Sequence, residues 1–201
     1  MSRWEPNTRE RLLDAALDLF GERGYDSVTV AEITERAGLT KRTFFRHFSD
    51  KREVLFYGQE LLIQAFLDGL DDAPKGATPL EMVAAAMDVA ATSFFPDERR
   101  SYSRARKAVI EENPALRERE VHKLAHLATN IAAALRERGV EEPAATLAAE
   151  SGRTVFAIAF GQWVREGEQR SLAEIQADVM GRLLSMGETS AHRTGFPVLP
   201  T

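Results

Sequence analysis

Apolar residues recur at helical spacing along almost the whole chain, and this limits the fold more than any other feature. Leu13, Ala16, Leu17 and Phe20 fall at i, i+3, i+4 and i+7, which lines one helix face. There is no sustained alternating run rich in Val, Ile and Thr, and only residues 27–30 look extended. Helix starts are marked by a recurring pair, a capping oxygen three residues ahead of a carboxylate. It occurs at Asn7/Glu10, Thr29/Glu32, Asp50/Glu53, Thr78/Glu81 and Ser171/Glu174. Each pair can satisfy two orphan amides and sets negative charge at the positive end of the helix dipole. Pro79 and Pro114 each follow a capping residue, at the first helical position, where the missing N–H costs nothing. Gly21, Gly24 and Gly38 supply stops, as do the turn-rich stretches 71–78 and 139–143.

The spacing therefore predicts helices over 8–23, 30–37, 41–47, 51–70, 79–95, 97–112, 114–138, 143–166 and 171–187. The expected fold is all-α: an N-terminal three-helix domain with a helix-turn-helix over 1–55, then a helical bundle over 56–187. The Ser/Thr/Gly/Pro-rich tail, 188–201, has no periodicity and is expected to be disordered. With no Cys among 201 residues, disulfide scaffolds, thiolate metal sites and Cys nucleophiles are excluded. No secretory signal or spanning segment is legible, so a cytoplasmic location is expected.

Charge is distributed unevenly. The chain carries a net −5, yet residues 36–52 hold six bases (Arg36, Lys41, Arg42, Arg46, Lys51, Arg52) and one acid (Asp50), a local +5. The remainder sums to −10. A solvated charged face would explain such a segment, and so would a polyanionic partner.

The local pattern favours the partner. Residues 30–37 make two helical turns that bury Val30, Ile33 and Ala37; Gly38 supplies a positive φ, and Leu39 plugs the interhelical angle. Thr40 can cap a second helix, 41–47, carrying Lys41, Arg42, Thr43, Arg46 and His47. Arg donates bidentately to guanine and Thr meets a thymine methyl when such a helix enters the major groove. Thr29, Thr40 and Lys51 fall at helix starts, where backbone amides favour phosphate. Phe44 and Phe48 are assigned to the core, and Phe45 either to packing or to the sugar-phosphate backbone.

Residues 37–51, preceded by 24–33, resemble the DNA-binding domain of TetR-family transcriptional regulators, over about residues 8–55. Gly38, Phe48 and Lys51 carry the resemblance. Phe45 departs from it: the family usually has tyrosine there, whose hydroxyl contacts a phosphate. Arg42 occupies a position often taken by glycine. The resemblance implies a homodimeric regulator, a repressor released from a roughly palindromic double-stranded DNA operator by a small-molecule effector. It also implies a ligand-binding and dimerisation bundle that pairs through its last two long helices. Ala157, Gly161, Val164, Val179 and Leu183 are the expected interface residues.

For the effector, Phe94, Phe95, Tyr102, Arg106, Ile110, His126, Phe156 and Phe160 are the expected lining. The pattern 99–107 followed by 112–117 resembles a TetR subgroup that binds acyl-CoA-like ligands. An apolar cavity with Arg at its mouth would suit an acyl chain with an anionic head. Surface pairing of those arginines with glutamates is the plainer alternative. His122 and His126 sit at i, i+4, but the sequence between them, Lys-Leu-Ala, lacks a zinc-protease glutamate, so no metal is expected. No nucleophile–base pair or phosphate loop is present, so neither an enzyme nor a cofactor is expected. Arginines buried in internal ion pairs would point instead to an adaptor that has lost DNA binding.

Overall fold

The computed structural model describes residues 8–191, with side chains through Met186. Trp4, the N-terminal arm, Asn7 of the first capping pair and most of the expected tail lie outside those residues. Along the described chain run α1 (Thr8–Arg23), α2 (Val30–Arg36), α3 (Lys41–His47), α4 (Glu53–Phe56) and α5 (Gln59–Asp71). These are followed by α6 (Pro79–Phe94), a 3-10 turn (Asp97–Arg99), α7 (Arg100–Glu112), α8 (Pro114–Glu137), α9 (Ala144–Trp163) and α10 (Leu172–Ala191). The fold is all-α, as the periodicity predicts.

Besides the 3-10 start of the helix expected over 97–112 and the end of α9 at Trp163 where 166 was expected, two further boundaries differ from the sequence reading. One helix was expected over 51–70, but the chain leaves the helix at Tyr57 (φ −61, ψ 140) and Gly58 takes φ +91. That φ is in the left-handed region, open to glycine at little cost. At the other end, α10 runs to Ala191, so residues 188–191 are helical where a disordered tail was expected.

Contacts group the described chain into two compact units. The head comprises residues up to Ile63 together with Glu98–His126, and the bundle comprises Gln64–Asp97 with the residues from Leu127 onward. This grouping adds α7 and the start of α8 to the helices expected to form the N-terminal domain over 1–55. Val109 and Ile110 of α7 and Leu116 of α8 are buried in the same core as Leu12, Ala16, Phe20, Ile33, Phe44 and Phe48. A three-helix head alone would leave that apolar surface in water, at about 25 cal/mol per Å².

Caps fix where the head's helices begin. Thr29 and Glu32 form a reciprocal capping box, and the Asp50 carboxylate accepts from the amides of Arg52 and Glu53. Gly38, at φ +64, turns the chain between α2 and α3, and Leu39 packs partly buried on the core. In the bundle, α6, α9 and α10 pack on one another. Small residues set the spacing: a Cβ added at Gly152 would lie 2.3 Å from Val83 Cγ1, and one at Gly69 2.7 Å from Ala86 Cα. The expected boxes Thr78/Glu81 and Ser171/Glu174 are both formed, the first with Pro79 inside the first turn. Among the described residues, no helix is long and apolar enough to cross a membrane.

Candidate nucleic-acid interface

The six bases of the +5 segment divide evenly. Three are engaged within the head: Arg36 makes two bonds to Glu22 (3.1 and 2.9 Å), Arg52 pairs with Asp50 (2.9 Å), and Lys51 bonds backbone carbonyls. The other three, Lys41, Arg42 and Arg46, are exposed on α3 and make no hydrogen bond or ion pair among the described residues. Those three are the bases the sequence reading put on the recognition helix.

Why α3 presents them follows from what anchors it. Phe44 is fully buried and Phe48 nearly so, with ring centroids 5.2 Å apart, so one face of a seven-residue helix is fixed in the core. The opposite face must then point outward. Thr40 caps the helix by accepting from the Thr43 amide (3.1 Å), and the two hydroxyls lie 3.0 Å apart. Phe45 is 56% exposed, its edge against Phe44, which places it on the outer face and not in the core. Thr29 is exposed and holds Glu32: the Thr29 hydroxyl and amide, then Arg23, bring that carboxyl down to about 2.

Two other expected contacts are turned inward. His47 is half-buried; its Nε2 is buried with no partner among the described residues, and burial, with Arg9 and Arg46 nearby, lowers its pKa. Lys51 Nζ donates to the carbonyls of Tyr25 and Val28, each at 2.7 Å, and lies 4.1 Å from the Tyr25 ring centroid.

Sequence reasoning missed the residues that brace this surface. Arg11 of α1 donates to the Ala37 carbonyl at the end of α2. Arg119 of α8 pairs with Glu53 of α4, where Lys123 also approaches to 3.7 Å. Asn113, at the α7–α8 corner, donates to Asp26 (3.1 Å), and its own oxygen caps α8 through Ala115 and Leu116. These partners are far apart in sequence, and no local pattern announces them.

The expected ligand-lining residues do not form one set. Ile110 is fully buried in the head core, which corrects its assignment to a cavity, and Tyr102 packs on that core. Arg106 was expected at a cavity mouth; within the head it donates to the Leu55 carbonyl and to Glu120 (3.1 Å), over the Phe56 ring. His126 is exposed, and among the described residues no three His, Cys, Asp or Glu gather to hold a metal. The rest lie in the bundle, where Phe94, Phe95, Phe156 and Phe160 join Phe66 and Trp163 in one aromatic cluster with centroids 4.9–6.0 Å apart. Trp163 Nε1 donates to Asp97 (3.3 Å), which satisfies the one polar atom of that ring. A surface groove of about 120 Å³, lined by Ala128, Ala132, Arg136, Thr146 and Ala149 among others, lies apart from these aromatics.

Of the expected interface residues, Ala157 is exposed, and Gly161, Val179 and Leu183 are half-buried. Val164 is only 6% exposed, so it belongs to the bundle core and cannot present itself to a partner. Ile158 (47%) and Leu184 (45%) are large apolar side chains left exposed on the same two helices, and the expected set omitted both.

Comparison with known proteins bears on this surface first. Residues 12–57 match the model for bacterial regulatory proteins of the tetR family. The HTH-type transcriptional regulator TcmR of Streptomyces glaucescens is 40% identical over 79 residues, 39% of this chain and 35% of that protein. The chain spans about a third to a half of the length of the leading curated relatives it matches. Solved structures extend the likeness. FadR of Thermus thermophilus, a TetR-family transcriptional repressor in complex with lauroyl-CoA, aligns with TM-score 0.52 and 25% identity over 96% of this chain and 99% of that one. SmeT, the repressor of the Stenotrophomonas maltophilia multidrug efflux pump SmeDEF, aligns with TM-score 0.54 and 23% identity over 90% and 92%, which speaks for the fold alone. With their capped α2–α3 pair and Phe44–Phe48 anchor, residues 12–57 form a segment of the tetR family of bacterial regulatory proteins.

Proposed function

We propose that this protein is a DNA-binding transcriptional regulator, a cytoplasmic homodimeric repressor that leaves a roughly palindromic operator when a small molecule binds. One observation carries the reading: Lys41, Arg42 and Arg46 stand exposed on α3 with no partner among the described residues. Three like charges on two turns of helix repel one another, and a polyanion relieves that repulsion while releasing its own counterions. Had these bases been paired internally, an adaptor would fit better.

The dimer is supported by Ala157, Ile158, Gly161 and Leu184, apolar or small positions that face outward on α9 and α10. Two heads would then read half-sites about one helical turn apart. An apolar, acyl-CoA-like effector is supported by the aromatic cluster of the bundle and by the lauroyl-CoA carried by Thermus thermophilus FadR. Release would require the effector to favour a dimer whose heads are wrongly separated. A mobility-shift titration with the DNA upstream of the protein's own gene tests the reading. A salt-sensitive, sequence-selective complex is expected, and its absence at every segment tried would refute it.

A further inference from the structure

We propose that Lys51 is a positioning residue of the DNA-binding surface, tethering residues 24–29 to the start of α4 instead of contacting phosphate. The inference rests on the DNA-binding reading above and assigns one basic residue a different task within it. An ammonium group has three donors. Two of them go to Tyr25 O and Val28 O at 2.7 Å each, and the charge lies over the Tyr25 ring at 4.1 Å. The side chain is half-buried, and burial lowers its pKa.

What Lys51 holds matters for α2. Residues 24–29 join α1 to α2 with little regular bonding of their own, a single 3.4 Å bond from Val28 N to Tyr25 O. Tyr25 leans on Phe20 (5.1 Å), and Asp26 accepts from Asn113 (3.1 Å). Lys51 satisfies two carbonyls of this connection directly ahead of Thr29, the residue that caps α2. Releasing the ammonium would leave the Val28 carbonyl without this donor and the Tyr25 carbonyl with only the long bond from Val28 N, and would free the connection to shift. The entry of α2, and with it the pose of α3, would then vary. Two of the Lys51 donors are already committed to carbonyls, whereas Lys41 is exposed and has no partner among the described residues.

The test compares the parent with Lys51→Met, which keeps the apolar stem and removes the donors. Binding to a mixed-sequence duplex is followed across salt concentrations, beside thermal unfolding. The expected result is affinity about tenfold lower in the folded variant, with the slope of log K against log salt unchanged. A slope shallower by about 0.9 would make Lys51 a phosphate contact and overturn the proposal. Unchanged affinity with a lower melting temperature would reduce it to a stabilising residue, which also overturns it. Should the variant fail to fold, competitive amine acetylation of the parent decides. Lys51 should react many-fold more slowly than Lys41 in free protein and at the same rate with DNA, while Lys41 becomes protected. Rapid acetylation of Lys51 that DNA suppresses would contradict the tether. A parent that binds no duplex would overturn the DNA-binding reading, and its own isotherm would show that separately.

Discussion

In the head, two phenylalanines fix a seven-residue helix so that its other face carries three bases without partners among the described residues. In the bundle, glycines bring long helices close enough that one added Cβ would strike Val83, and the aromatic rings pack on one another. The head uses its core to aim charge outward; the bundle uses its core to hold long helices together. A mutation of the same kind should therefore read differently in the two units.

The largest expected effect separates neighbours within the head. Phe44→Ala removes a fully buried ring and should cost about 3–5 kcal/mol of stability, whereas Phe45→Ala, at an exposed position, should cost well under 1. Denaturant unfolding of the two variants checks this, and equal losses would mean that α3 is not anchored as described. In the bundle the corresponding test adds atoms. Gly152→Ala places a methyl 2.3 Å from the stiff Val83 side chain and should cost about 1–3 kcal/mol. Calorimetry would show it as a lowered melting temperature, and an unchanged one would mean that the α6–α9 approach is looser than it looks.

Next comes the charged face. Arg42→Ala should leave stability unchanged, since the side chain is exposed and unpaired among the described residues. On the preferred operator it should cost about 1–3 kcal/mol and relax selectivity at one base position. Isotherms on cognate and scrambled duplexes measure both. If the ratio between them does not change, Arg42 contacts only phosphate.

The smallest effect is at a cap. Thr29→Ala should cost about 1 kcal/mol at neutral pH. Because Glu32 is held at about 2 in the fold, below its ordinary 4.5, its contribution is complete above the ordinary value. It is lost as pH falls from about 4.5 toward 2. The parent should therefore lose its advantage over Thr29→Ala across that acid window in urea titrations followed by circular dichroism. A difference that persists unchanged to pH 2 would remove Glu32 from the account.

The head was mostly legible in the sequence because its signals are local. The capping pair Thr29/Glu32, Gly38 and the Phe44/Phe48 spacing all act within a few residues, and each has its expected role in the structure. What was not legible depends on partners far along the chain. Nothing near Arg106 reveals that it bonds Leu55 and Glu120, and nothing near Ile110 shows that it completes the core under α1. Lys51 looks as basic as Lys41 in a list of charges; only the carbonyls of Tyr25 and Val28 distinguish them. Val164 reads as another apolar residue of a two-faced helix, and only its burial assigns it to the core. The break at Gly58 could have been suspected from the glycine itself, but the helical spacing around it masked the signal.

The central claim is that three bases on α3, and not the net charge of the chain, bring this protein to DNA. Replacing Lys41, Arg42 and Arg46 together by alanine tests it most directly. Circular dichroism and melting should match the parent, because none of the three has a partner among the described residues. The salt dependence of binding to a mixed-sequence duplex should become shallower, by up to about 0.9 for each base that meets a phosphate, and selective binding should disappear. A folded triple variant that still binds its operator with the parent's affinity and salt slope would contradict the account.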